Sequence, residues 1–78
     1  MLTIMSIAED GELRQLGESI RAMRKEQGLT QESLAMAAGV GRGVIQKLEE
    51  GRGTVNVASL IRIATALSRE IRLIPRIS

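Results

Sequence analysis

The chain of 78 residues contains no cysteine, no histidine and no phenylalanine, tyrosine or tryptophan. The first two absences exclude a zinc finger, a haem site, a disulfide framework, a thiol nucleophile and every catalytic triad that uses histidine. The third removes the aromatic platform on which bases of single-stranded nucleic acid stack. We therefore expect no metal and no cofactor, and the remaining chemistry is limited to carboxylate, hydroxyl and lysine side chains.

The residues that are present suffice for one small domain over residues 1–78. Hydrophobic residues make up 44% of the chain, and all of them are aliphatic or methionine. Such a core suits packed helices better than a β-sandwich or barrel, so we predict an all-α fold. A domain of this size buries only about 60–65% of its unfolded surface, and a second chain could complete the core.

Charge is distributed unevenly along the chain, although the net charge is only +2. Residues 1–50 carry six Lys/Arg against eight Asp/Glu, whereas residues 51–78 carry five Arg against a single Glu. Arginine bonds phosphate and guanine well, so the basic part is compatible with a nucleic-acid partner; the alternative is a set of solvated arginines. The apolar segment 1–7 is too short for a signal peptide or a membrane span, and we expect a cytoplasmic protein.

Helical periodicity predicts four helices. Ser6 and Glu9 fit a capping box, and the apolar spacing that follows predicts a first helix over residues 8–27. Thr30 is the predicted N-cap of the second helix, and Asn56 that of the fourth. Glycines are predicted to end the first three helices, at Gly28, Gly39 and Gly51. The expected apolar stripe of the fourth helix consists of Val57, Leu60, Ile61, Ala64 and Leu67.

The segment 70–76 replaces the helical period by alternation, which is typical of a short strand ended by Pro75. A lone strand needs a partner for its backbone groups, which the same strand of a second chain could supply. A second strand around Leu2, Ile4 and Ile7 is another candidate partner, and a frayed tail is the alternative. Pairing between two copies predicts a homodimer with contacts from Ile71, Leu73 and Ile74.

The most informative stretch is LTQESLAMAAGVGRGVIQKLEEG, residues 29–51. Counted from Gln31, small or aliphatic residues occupy positions 4, 5, 8, 9, 10, 15 and 18, the spacing of two short helices that cross steeply. Ala35 is small enough for the closest approach of the helices, and Gly39 suits the turn between them. The pattern over residues 30–51 predicts a helix-turn-helix, and an unrelated αα-hairpin is the alternative.

Residues 16–67 resemble the Cro and repressor-type helix-turn-helix proteins of the XRE family, through IRAMRKEQGLTQESLAMAAGV, VIQKLEEGR and SLIRIATAL. The approach SIAEDGELRQLGESIRAMRK, the GRGTV loop and the closing REIRLIPR are similar to the HipB-type antitoxin branch. The resemblance implies a lambda-repressor-like domain of four to five helices, with a C-terminal strand that pairs across a dimer. It also implies a repressor that binds palindromic double-stranded DNA and holds a HipA-like toxin kinase.

By position, the resemblance implies DNA contacts from Thr30, Gln31, Arg42, Gly43, Val44, Gln46, Lys47, Arg52 and Thr54. The chemistry of these side chains agrees with such contacts. Arg42 can bond guanine, Gln46 can bond adenine, and Val44 can pack on a thymine methyl group. Lys47 and Arg52 are better suited to phosphate, which sets the register of the protein on DNA rather than its sequence preference.

Several of these residues have a plainer interpretation. Gln46 and Lys47 could be ordinary solvated residues of a helix, and Gln31 could merely complete the cap of the second helix. The resemblance further implies a structural ion pair between Arg24 and Glu49, which concerns stability rather than recognition.

Three glycines depart from the family pattern. Gly41 stands where a Ser or Thr cap is usual, Gly43 lies in the first turn of the recognition helix, and Gly53 replaces a proline. The weak net charge, the acidic first half and the glycine on the recognition helix favour a second hypothesis, a toxin-neutralising or assembly module that keeps the fold without specific DNA binding. Catalysis is not expected, because helix termini and ordinary surface positions explain the clustered carboxylates.

Overall fold

The computed structural model describes the backbone of residues 2–76 and the side chains of residues 11–76. No helix in this range is both long and apolar enough to span a bilayer. The range contains no strand, so the prediction of an all-α fold is confirmed. Its four helices are α1 (Leu2–Glu26), α2 (Gln31–Ala38), α3 (Arg42–Glu49) and α4 (Val57–Ala66).

The first helix begins earlier than the sequence pattern predicted. The backbone is already helical from Leu2, so Ser6 lies inside α1 and not at its N-cap. The prediction of a strand around Leu2, Ile4 and Ile7 is likewise wrong. Once a helix has formed, each added residue gains a hydrogen bond without a new nucleation cost, and no proline interrupts this segment.

The ends of α2 and α4 agree with the predicted caps. The Thr30 hydroxyl accepts a hydrogen bond from the Ser33 N–H at 3.0 Å, and the Asn56 side chain accepts one from the Ser59 N–H at 2.7 Å. Such caps satisfy N–H groups that have no partner inside the helix. Gly39 follows α2 with a φ of +69°, as predicted for the turn.

A single aliphatic core joins all four helices. Its largest fully buried side chains come from α2, α3 and the α4 segment: Leu34, Ile45, Ile63 and Leu67. The predicted stripe of α4 is partly wrong, because Val57 is 71% exposed and Ile61 is 50% exposed. This helix is apolar on most sides, so the periodicity alone could not determine which side faces the core.

The predicted strand over residues 70–76 is not formed in the single chain. After α4 the backbone turns at Ser68, which has a φ of +59°, and then continues without regular structure. The physical reason is the lack of a partner, because the segment that could have paired with it is part of α1. An ion pair of 3.1 Å between Arg76 and Glu12 connects the tail to α1.

A close contact between helices lies where α1 crosses the end of α3. A Cβ atom added to Gly17 would overlap the carbonyl oxygen of Leu48 and lie 3.0 Å from that of Glu49. Both obstacles are backbone atoms, which cannot swing aside as a side chain would. Gly17 therefore determines how closely α1 approaches α3.

We predict that Gly17→Ala lowers the free energy of unfolding by about 1–3 kcal/mol, because the added methyl group forces the two helices apart. Gly11→Ala is the matched control on the same helix, since a Cβ atom there meets nothing within 4 Å. This second change should raise stability by about 0.5–1 kcal/mol through the better helix propensity of alanine. Urea titration followed by far-ultraviolet circular dichroism measures both, and equal effects would contradict the close contact.

Candidate nucleic-acid interface

The turn between α2 and α3 consists of three residues. Gly39 takes the left-handed conformation, and its N–H donates to the carbonyl of Met36 at 3.2 Å. The N–H of Val40 donates to the carbonyl of Ala35 at 3.0 Å, which completes a regular helix C-terminus. Gly41 is extended and α3 begins at the next residue. The three-residue turn thus joins the end of α2 directly to the start of α3, and Ala35 of α2 is buried.

Helix α3 has one buried side and one exposed side. Ile45, Leu48 and Glu49 face the interior. The exposed residues are Arg42, Gly43, Gln46 and Lys47. Positions i, i+1, i+4 and i+5 of a helix share a face, so these four residues form one surface. We call it the α3 face.

Val44 does not belong to the α3 face. It is half-buried, packs against the core and lines a small cavity with Leu13 and Val55. The expectation that Val44 packs on a thymine methyl group stays a prediction, with only part of its side chain exposed for such a contact. The periodicity missed this because Val44 lies at the border between the buried and exposed sides of the helix.

The two glycines at the start of α3 are not required by packing within the described chain. A Cβ atom added to Gly41 or Gly43 would meet nothing within 4 Å. Neither residue has a positive φ, and Gly41 makes no side-chain cap. Their effect is to leave the backbone at this end of α3 uncovered.

Thr30, Gln31 and Arg42 lie around one open cleft of about 440 Å³, where the starts of α2 and α3 meet. Glu32 lines the same cleft. The first N–H groups of a helix are unpaired, and the helix dipole places a partial positive charge there. Together with the guanidinium of Arg42, this end of α2 can attract an anion.

Arg52 and Thr54 lie in the loop between α3 and α4. The guanidinium of Arg52 donates to one carboxylate oxygen of Glu50 at 2.6 Å and 2.9 Å. Both side chains of this pair are exposed, so the interaction contributes little to stability. The loop also approaches Lys47, whose Cδ atom would lie 3.4 Å from a Cβ atom added to Gly53.

A buried ion pair connects α1 with the end of α3. Arg24 donates through Nε to Oε2 of Glu49 at 2.6 Å and through Nη2 to Oε1 at 3.0 Å. Its third contact is a bond from Nη1 to the carbonyl of Leu29 at 2.8 Å. Gln31 donates to Oε1 of Glu49 at 3.1 Å, so the start of α2 is joined to the same carboxylate.

The charge of Glu49 is stabilised by these contacts. Burial alone would raise the pKa of this carboxyl group, but the hydrogen bonds from Arg24 and Gln31 and the nearby positive charges outweigh it. The net result is a pKa below the ordinary value for glutamate. The ion pair is therefore fully charged at neutral pH.

The sequence pattern missed the bond between Gln31 and Glu49 and the pair between Glu50 and Arg52. Gln31 and Glu49 lie on different helices, so only the crossing of α2 and α3 brings them together. Their separation in sequence carries no signal for such a bond. Among the described residues, no three carboxylates come together as metal ligands.

The site consists of two short helices, a three-residue turn between them and an exposed polar face on the second helix. Together these features define a helix-turn-helix unit, which is typical of proteins that bind DNA. A protein-family model described as helix-turn-helix matches residues 20–74. The chain therefore belongs to the helix-turn-helix family, a family of DNA-binding transcriptional regulators rather than of enzymes.

Individual relatives agree with this assignment. The chain is 53% identical over 51 residues to an uncharacterized HTH-type transcriptional regulator of Methanothermobacter thermautotrophicus, a match that covers 65% of this chain and 74% of the relative. It is 36% identical over 59 residues to the HTH-type regulator y4mF of Sinorhizobium fredii, with coverage of 76% and 78%. The crystal structure of the restriction-modification controller protein C.AhdI from Aeromonas hydrophila is similar, with a TM-score of 0.73, 33% identity and coverage of 77% and 91%.

We predict that Glu49→Gln lowers the free energy of unfolding by about 3 kcal/mol at neutral pH, because the buried guanidinium of Arg24 loses its counter-ion. Since the pKa of Glu49 is lowered by folding, its contribution is complete above the ordinary glutamate pKa and is lost as pH falls through the folded value. The penalty of the substitution should therefore shrink in acid.

Urea unfolding at neutral pH and at about pH 3 measures how the stability penalty of Glu49→Gln changes with pH. Glu18→Gln on the exposed side of α1 is the control and should change stability by less than about 0.5 kcal/mol. A Glu49→Gln variant that unfolds like this control would show that the ion pair is unimportant.

Proposed function

We propose that this protein is a sequence-specific repressor that binds double-stranded DNA as a homodimer. The observation that carries the proposal is the α3 face, which offers guanidinium, amide and ammonium groups on the exposed side of a helix anchored by its other side. Among the ion pairs of residues 11–76, none involves Arg42 or Lys47. Their charges are available to an external partner.

The side chains of the α3 face divide into two roles. Arg42 has the geometry to bond guanine through two N–H groups, and the Gln46 amide can bond adenine in the same way. Lys47 is a point charge suited to phosphate. The uncovered backbone at Gly43 permits close approach of the helix to DNA.

Phosphate contacts are proposed on both sides of this surface. On one side, the N-terminus of α2 with Thr30 and Gln31 is suited to a backbone phosphate. The Gln31 amide is already oriented by its bond to Glu49. On the other side, Arg52 and Thr54 provide the second set of contacts. Such contacts would fix the register of the protein on the duplex.

The finer role that we propose is autorepressor and antitoxin of a HipBA-like operon, with a HipA-like toxin kinase as the partner. The support is the similarity of the GRGTV loop and the closing REIRLIPR segment to the HipB-type branch. An adjacent reading frame that encodes a kinase-like protein would support this role, and co-purification of the two products would test it. If no such reading frame is adjacent, the antitoxin role is wrong and the DNA-binding proposal is unaffected.

The homodimer is supported by the tail. Leu73 is 98% exposed and Ile74 is 83% exposed, which is costly for aliphatic side chains in water. Ile71 and Leu73 also line an apolar groove of about 590 Å³ beside the exposed Ile61 of α4. Pairing of residues 69–73 with the same segment of a second copy would cover Ile71 and Leu73 and satisfy the backbone groups of these residues in both tails, and Ile74 would flank the end of the ladder.

Charge favours one antiparallel register, in which Ile71 lies opposite Ile71 of the second copy. Each Glu70 then faces Arg72 of the other copy, and Pro75 remains outside the ladder, where its missing N–H has no cost. A shift that centres the ladder on Arg72 would oppose two like charges. A ladder centred on Leu73 would bring Pro75, which has no N–H to donate, into the ladder opposite Ile71.

We predict that Ile71→Cys forms an intermolecular disulfide rapidly under mild oxidation, because directly opposed residues bring their Cβ atoms to about 5 Å. Leu73→Cys is the matched control, since the two copies of this residue would be about 14 Å apart in the same register. The natural chain has no cysteine, so non-reducing gel electrophoresis has no background. Faster cross-linking of Leu73→Cys would contradict the register, and a monomeric mass at micromolar concentration would contradict the dimer.

For DNA binding, we predict that Arg42→Ala costs about 1–3 kcal/mol on the DNA upstream of its own gene and relaxes the preference at one base pair. Lys47→Ala should weaken binding to every duplex alike and reduce the salt slope by about 1. Two half-sites about 34 Å apart would give a palindromic operator. Electrophoretic shifts with upstream and scrambled duplexes at two salt concentrations measure these effects, with Arg62→Ala on the exposed side of α4 as a charge-matched control.

If both α3 variants bind upstream DNA like the natural protein, the assignment of the α3 face is wrong. A dissociation constant that ignores salt and sequence would favour the protein-interaction module instead.

A further inference from the structure

A row of three cations extends from the α3 face to α1. Lys47 lies on α3, Arg52 in the following loop and Arg14 on α1. The backbone of the loop passes between Lys47 and Arg14. Gly53 adjoins the side chain of Lys47, and a Cβ atom added to Gly51 would lie 2.8 Å from Cγ of Arg14. Arg14 and Arg52 also line one shallow cleft of about 350 Å³.

The contact between Arg14 and Gly51 is determined by the backbone. Gly51 has a φ of +70°, and a Cβ atom there would lie 2.9 Å from the Cα atom of Arg14. The neighbouring Leu13 lines a small cavity with Val55 and Gly53, so the same turn of α1 meets both ends of the loop. This packing keeps the stem of Arg14 beside the loop that carries Arg52.

The charge of this row is only partly compensated within the described residues. The Glu50 carboxylate bonds Arg52, whereas Arg14 and Lys47 take part in none of the ion pairs of residues 11–76. Cationic side chains grouped on one side of a protein attract a polyanion. The row continues from the surface that we propose for base contacts, so a DNA strand leaving that surface would pass along it.

From this placement we infer that Arg14 and Arg52 form a second site for a backbone phosphate of duplex DNA, to which α1 contributes one of the two guanidinium groups. The inference rests on the proposed DNA binding, and it adds a contact from α1 to those proposed for α2, α3 and the loop that follows α3. Because a phosphate contact carries no sequence information, its effect should be the same on any duplex.

The test compares Arg14→Gln with the natural protein on a fluorescein-labelled duplex of scrambled sequence, about 30 base pairs long, by anisotropy between about 50 and 200 mM salt. Loss of one phosphate contact should reduce the magnitude of the salt slope by about 0.9. The decrease in affinity between about 50 and 200 mM salt should then be about 3.5-fold smaller for the variant than for the natural protein. Glu50→Gln removes the carboxylate that competes for Arg52, and it should strengthen binding to the same duplex.

Arg76→Gln is the matched control. It removes the same charge close to α1, but its partner Glu12 lies two residues before Arg14 and therefore on the opposite side of the helix. The control should retain the natural slope. An Arg14→Gln slope equal to that of the natural protein would overturn the site while leaving DNA binding standing. Natural protein that binds the duplex without salt dependence would overturn both the site and the proposed function.

Discussion

The arrangement of the three helices that matter for DNA depends on one buried carboxylate. Glu49 accepts two hydrogen bonds from Arg24 and one from Gln31, so the end of α3, the last turns of α1 and the start of α2 meet at its two oxygens. A buried charge without partners is costly, which makes any alternative packing that separates these groups unfavourable. The carboxylate thus specifies one geometry among those that the aliphatic core alone would tolerate.

Local features of the fold could be predicted from the sequence, and the structure shows why. Thr30 and Asn56 act on N–H groups three residues away, and Gly39 acts on its own backbone, so each signal is contained in a few neighbouring residues. The start of α1 and the buried side of α4 were predicted wrongly. Neither feature is decided by neighbouring residues alone. Extension of α1 to Leu2 competes with a strand that has no partner, and the shape of the core decides which side of α4 is buried.

The candidate interface shows the same division between features set by neighbouring residues and features set by packing between helices. The positions of Arg42, Gln46 and Lys47 on one face follow from helical spacing, which the sequence displays directly. The half-buried position of Val44 and the bond from Gln31 to Glu49 do not, because they are decided by contacts between helices. Residues at the border of a buried face are therefore the least predictable part of such an interface.

The absence of any side chain at Gly17 also limits how this protein could acquire a new operator. At this point of the crossing backbone meets backbone, so residue 17 offers no side chain whose exchange could tilt α3 by a few degrees. If α3 binds DNA as proposed, this favours a change of target through substitutions on the α3 face over a tilt of the whole helix.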